Sequence, residues 1–85
     1  MTEKSWFLYI VRCKDDKLYT GISNDVDKRV EAHNKGKGCR YTKYRCPVEL
    51  VYQEECGTKS SATKREFKVK TFTKQKKLSL INNNQ

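Results

Sequence analysis

This 85-residue chain has little that would interrupt, staple or anchor it. It contains one proline and four glycines, too few for a linker-rich or disordered polypeptide. No apolar run approaches the roughly 20 residues that a membrane-spanning helix needs. The opening "MTEKSWFLYIV" lacks a basic segment followed by an adequate apolar stretch, so no secretion signal is visible. The cysteines at 13, 39, 46 and 56 form no C-x-x-C pair, and the Cys39 to Cys46 spacing suits a structural zinc site poorly. They read as reduced thiols of a cytoplasmic protein. Acidic residues are scarce as well. Ten Asp and Glu stand against nineteen Lys and Arg, a net charge of +9. On so small a surface that excess attracts a polyanion, with nucleic acid first and an anionic membrane second.

What is present organises into one domain over residues 1–81, with 82–85 ("NNNQ" from Asn82) as a disordered tail. "FLYIVRCKDDKLYTGIS" reads as two strands about a charged turn. Strand alternation sends Trp6, Leu8 and Ile10 to one face and Phe7, Tyr9 and Val11 to the other. Both faces are apolar, so layers on both sides should cover the hairpin. A two-residue turn would separate Tyr9 from Tyr19, whereas a three-residue loop such as Asp15 to Lys17 would put them on one face. "SNDVDKRVEAHNKGKG" reads as a helix capped by Ser23 or Asn24 and stopped by Gly36 or Gly38. Its inward stripe carries Val26, Val30 and His33, with Arg29 beside them. After the basic loop "KGKGCRYTKYRC", "VELVYQEE" alternates so that Val48, Leu50 and Tyr52 share a face. A second helix is expected from about Ser60 to Thr73, with Ala62, Val69 and Phe72 inward and Glu66 at the stripe's edge. A short third helix covers Lys74 to Ile81. The order β-β-α-β-α-(α) predicts an α+β domain, a small three-stranded antiparallel sheet flanked by two or three helices.

Taken one at a time, the polar residues have ordinary explanations. Tyr9 and Tyr19 can be strand aromatics with hydroxyls at the rim. Arg29 can snorkel, His33 can be a satisfied helix histidine, and Glu66 can pair with Lys70 one turn on. Together they make a kit for cutting a phosphodiester. A carboxylate holds one divalent cation, and arginine grips the non-bridging oxygens in a fork. A phenol takes a proton from water if nearby cations lower its pKa from the reference value near 10. Phenylalanine would pack as well in the hairpin but cannot hold, aim or take a proton.

The ordered set of Tyr9, Tyr19-Thr20-Gly21, Arg29, His33 and Glu66 resembles the GIY-YIG nuclease domain. "YTGISND", "RYTKYRCPVELVYQEE" and "REFKVK" resemble the small stand-alone bacterial branch of that superfamily, an uncharacterised protein family. The likeness runs over about residues 5 to 81. It implies that Tyr9 and Tyr19 supply the general base and position water, and that Arg29 acts on the scissile phosphate. It implies also that His33 assists a tyrosine or the leaving group, and that Glu66 binds one divalent cation, Mg2+ or Mn2+. The fold it implies is the same three-stranded sheet flanked by helices. The sequence departs from the pattern at Phe7-Leu8, in place of Gly-Ile, and at Thr20. A lysine used by some members is replaced by Ile22 or Ser23, and a late asparagine has no match.

The expected function is metal-dependent hydrolysis of DNA phosphodiesters, with structure-specific cleavage as one form. The alternative is a nucleic-acid-binding module that keeps the fold without efficient cleavage. Lys35, Lys37, Arg40, Tyr41, Lys43, Tyr44 and Arg45 suit phosphate contact and base stacking under either. The expected partner is nucleic acid, DNA first, with a protein partner supplying specificity and no membrane.

Overall fold

The computed structural model describes residues 4–37 and 43–82. Its sheet grows from the hairpin. β1 (Trp6–Arg12) and β2 (Leu18–Ser23) are antiparallel, with Tyr9 opposite Gly21 and Val11 opposite Tyr19. The register comes from the loop Lys14–Asp15–Asp16. The Cys13 N–H donates to the Lys17 carbonyl at 2.8 Å, and the Asp16 N–H donates to the Cys13 carbonyl at 2.9 Å. Asp16 sits at φ 68°, the left-handed residue that closes a three-residue hairpin loop. The loop begins one residue earlier than the Asp15 to Lys17 alternative. It still puts Tyr9 and Tyr19 on one face, because their register sum is even.

β3 (Glu49–Gly57) pairs antiparallel with the other side of β1, in the order β2-β1-β3. Its register slips between Ile10 and Val11 and again between Trp6 and Phe7. The first slip is a bulge at Val51, where two β3 residues oppose one of β1. It overturns the expected alternation. Leu50 packs with Val48 on one side, while Tyr52 turns to the other and joins Leu8, Ile10 and Val69.

Each face of the sheet has its own core. Tyr9, Val11, Cys13 and Val48 pack under α1 (Val26–Asn34) through Val26 and Val30. Leu8, Ile10 and Tyr52 pack under α2 (Lys59–Lys70) and α3 (Lys74–Asn82) through Val69, Phe72, Leu80 and Ile81. The helix ends explain their own lengths. Asp25, and neither Ser23 nor Asn24, caps α1 by accepting from the Lys28 N–H at 3.2 Å, while Ser23 Oγ accepts from the Asp25 N–H at 2.9 Å. Gly36 at φ 76° ends α1 as expected. Its N–H donates to His33 and that of Lys37 to Ala32, a Schellman closure. Thr58 caps α2, which stops at Lys70 and not Thr73; Phe72 packs from the turn beyond. α3 continues to Asn82, one residue past its expected end.

Asn34 fixes the layer order at the far end of α1. Its carboxamide accepts from the Val48 N–H at 2.5 Å and donates to the Val48 carbonyl at 3.2 Å, copying a strand pair ahead of β3. Among the described residues, no helix is long and apolar enough to cross a membrane.

Candidate active site

The α1 face of the sheet gathers three of the five expected catalytic residues. β1 carries Tyr9, β2 carries Tyr19, and α1 lowers His33 onto both. Tyr9 and His33 are 1% and 0% exposed, and the Tyr9 hydroxyl lies 2.9 Å from His33 Nε2. The Tyr19 ring meets the imidazole edge-on at 5.3 Å between centroids and lies 6.5 Å from the Tyr9 ring. Tyr19 is half-buried, so one phenol of the pair reaches the surface and the other is sealed behind it. Sequence spacing alone left that division open.

Burial, with the neighbouring Arg29 guanidinium adding to it, lowers the His33 pKa. The imidazole is therefore neutral at neutral pH. A neutral ring has one nitrogen that donates and one that accepts, so the Tyr9–His33 bond runs in the direction set by the tautomer, the hydroxyl donating when Nε2 is bare and accepting when Nε2 carries the proton. Arg29 stands one turn before His33 on α1 and is half-buried.

Gly21 is the residue that sequence reasoning missed. It faces Tyr9 across the hairpin, and a Cβ built on it would lie 2.6 Å from the Tyr9 hydroxyl oxygen and 2.8 Å from Cζ. Only a hydrogen at this position lets the phenol lie flat enough over β2 to reach His33. The signal was present in the register, since an even-sum hairpin sets residue 21 against residue 9. Thr20 points to the other face, is 2% exposed, and has an Oγ1 with no hydrogen-bond partner.

Glu66 lies on a different layer. It sits on the sheet-facing stripe of α2 between Ala62 and Val69, and Val69 belongs to the core on the opposite side of the sheet from Tyr9. Its carboxylate pairs with Lys70 at 3.4 Å, the i,i+4 arrangement, with 22% of its side chain exposed. Among the described residues, no three His, Cys, Asp or Glu side chains gather to hold a metal. One half-buried carboxylate fits a hard cation that keeps most of its waters, as magnesium and manganese do, and not a closed protein cage.

The expected nucleic-acid residues divide. Lys35, Lys37, Lys43 and Tyr44 are exposed, Tyr44 at 79% with the Lys43 ammonium 5.4 Å from its ring centre. Lys35 also reaches Glu31 at 2.8 Å. Arg45 is half-buried and tied to Asp15 of the hairpin loop at 3.0 Å, so it braces the loop. Arg40 and Tyr41 lie outside the described residues.

A second polar cluster escaped sequence reasoning. On the α2 face, Arg65 forks onto Glu54 at 3.1 and 3.2 Å, and the Tyr52 hydroxyl donates to the same carboxylate. Burial, with Glu54 adding to it, pushes the Tyr52 pKa up to about 12, so this phenol stays a donor. It serves packing. The bulge at Val51 put it there, and no alternation rule would have found it.

Comparison with known proteins agrees with this geometry. The family model of the GIY-YIG catalytic domain matches residues 5–79. A UPF0213 protein of Staphylococcus aureus (strain Mu50) is 61% identical over 77 residues, covering 91% of this chain and 94% of that one. Two solution structures are similar. The UPF0213 protein BH0048 from Bacillus halodurans is 38% identical with a TM-score of 0.59, over 92% of this chain and 83% of its own. The protein EF2693 from E. faecalis is 35% identical with a TM-score of 0.63, over 98% and 90%.

Proposed function

Because this chain belongs to the GIY-YIG domain family, a nuclease family, we propose that it is a divalent-metal-dependent endonuclease acting on DNA in the cytoplasm. The observation that carries this reading is the buried Tyr9–His33 hydrogen bond with the half-exposed Tyr19 packed against the same imidazole. A protein that only bound phosphates would gain nothing from holding a neutral imidazole between two phenols. Such a group moves protons.

The chemistry follows from the placement. Tyr19, the phenol at the surface, orients the attacking water and takes its proton. Tyr9 and His33 fix the Tyr19 ring from behind, and the Tyr9–His33 bond lets charge near the phenols be shared over a polar pair. Arg29 grips the non-bridging oxygens and favours the more anionic transition state. Glu66 holds the cation, which supplies Lewis-acid stabilisation of the phosphate and leaving oxygen when bound. The helix α2 that carries Glu66 packs through Val69 on the face opposite the phenols, and β2 is an edge strand that both α1 and α2 contact. The edge of β2 is where one phosphodiester meets both layers. The exposed Lys35, Lys37, Lys43 and Tyr44 extend the contact along the nucleic-acid strand. A protein partner supplies site specificity.

The rival reading is a binding module that kept the fold, and the Glu66–Lys70 pair favours it, because it gives the carboxylate a structural role. Cleavage of nicked, branched, single-stranded and duplex DNA with magnesium or manganese decides between them. The nuclease reading expects cutting that needs the metal and disappears in Glu66→Gln and Tyr19→Phe. Binding without cutting by the wild type, or equal cutting by the variants, overturns it.

A further inference from the structure

We propose that the outer face of α2 is a second nucleic-acid contact surface, which stacks Phe67 on an unpaired base and grips the adjoining phosphates with Lys64 and Lys68. The inference rests on the nucleic-acid reading above but concerns a face that the chemistry does not use.

Charge distribution is the first observation. Residues 59–82 carry eight Lys and Arg against one acidic residue, +7 of the chain's net +9, while residues 1–58 carry eleven against nine. The polyanion attraction therefore centres on α2 and α3, and not on the phenol–imidazole group.

The second observation is where Phe67 points. Ala62, Glu66 and Val69 define the sheet-facing stripe of α2, and at 100° per residue Lys64, Phe67 and Lys68 fall on the opposite side. Phe67 is 77% exposed. A large aromatic ring in water on a helix this polar has no folding purpose, since the core of this layer is filled by Val69, Phe72, Leu80 and Ile81. Several other cations of the layer are occupied. Arg65 pairs with Glu54, Lys70 with Glu66, Lys74 with Asp16, and Lys59 and Lys76 lie over Trp6 and Phe72. Lys64 and Lys68 flank the ring and are exposed.

Charge complementarity selects the occupant. A second copy of a +9 chain would be repelled, and a lone ring between ammonium groups offers too little apolar area for an apolar protein surface. A strand with accessible base faces matches both the ring and the charges. A second exposed ring next to lysine stands at Tyr44, in the segment between α1 and β3, with the Lys43 ammonium 5.4 Å from its centre.

The test is fluorescence anisotropy with a labelled oligothymidine of about 20 nucleotides, long enough for two contact surfaces, over a salt series. Phe67→Ser should weaken binding about tenfold, the loss expected for one base stack. Lys64→Gln/Lys68→Gln should reduce the salt slope by about 1.4, the value for two lost phosphate contacts on a single strand. The melting temperature of each variant, expected to match wild type, separates lost contact from lost fold. Lys35→Gln/Lys37→Gln is the control for the other face. Normal binding by both α2 variants, with the loop variant impaired, overturns this inference and leaves the nucleic-acid reading standing. A wild type that binds no oligonucleotide overturns both.

Discussion

The two layers that cover this sheet, one helix of 9 residues on one face and helices of 12 and 9 on the other, differ in kind as well as in size. The α1 layer holds its polar groups inward: His33 is fully buried, Tyr9 nearly so, and the bond between them spans a strand and a helix. The α2–α3 layer turns its charge outward and fills its inner face with Val69, Phe72, Leu80 and Ile81. Buried polar groups are costly unless satisfied, and those on the α1 side are satisfied by one another, an arrangement suited to proton transfer. Exposed lysines cost little and act at long range, an arrangement suited to attraction. On the proposed reading, proton transfer belongs to the α1 face, where Arg29 and the lysines after α1 also meet phosphate, and the α2–α3 face adds a separate grip together with Glu66.

Breaking the α1 layer should have the largest effects. Tyr19→Phe keeps the packing and removes the surface hydroxyl, and should lower the cleavage rate about a hundredfold or more, the usual contribution of a general base. Gly21→Ala should be nearly as damaging for a steric reason, since the new methyl displaces the Tyr9 ring from His33. It should also cost about 1–3 kcal/mol of stability in urea unfolding. A Gly21→Ala protein with wild-type stability and activity would refute the close approach on which the site depends.

Stability against pH sharpens the comparison next. The His33 pKa is lowered in the fold, so the unfolded chain binds the additional proton first as pH falls. Stability is complete above the ordinary imidazole value of about 6.5 and is lost as pH drops through that value toward the folded pKa. The urea midpoint should fall between pH 7 and pH 5, and in His33→Gln this part of the fall should vanish. The α2 layer supplies the smallest effect and the opposite sign. Thr20 buries an unpartnered hydroxyl on that face, so Thr20→Val should raise stability by about 1 kcal/mol, measured by the same unfolding.

The sheet, the order of elements and the inward positions of Val26, Val30 and His33 were legible because periodicity and caps are local signals. So was the family, from the ordered spacing of Tyr9, Tyr19, Arg29, His33 and Glu66. What was not legible depended on register. Tyr52 changed faces because one extra residue at Val51 is invisible to an alternation rule. The role of Gly21 required knowing that it lies opposite Tyr9, which only the hairpin loop decides. That α2, the helix of Glu66, covers the face opposite the phenols was not legible either, because a helical wheel reports a stripe without reporting which side of the sheet it meets. Asp25 displaced Ser23 and Asn24 as the α1 cap because three consecutive residues could serve, and geometry chose among them.

The most direct test compares binding and cutting in the same two variants on one labelled oligonucleotide with magnesium. The account predicts that Tyr19→Phe binds as wild type and does not cut, whereas Phe67→Ser binds about tenfold more weakly and cuts at the wild-type rate once saturated. Loss of binding and cutting together in both variants would contradict the separation of chemistry from grip.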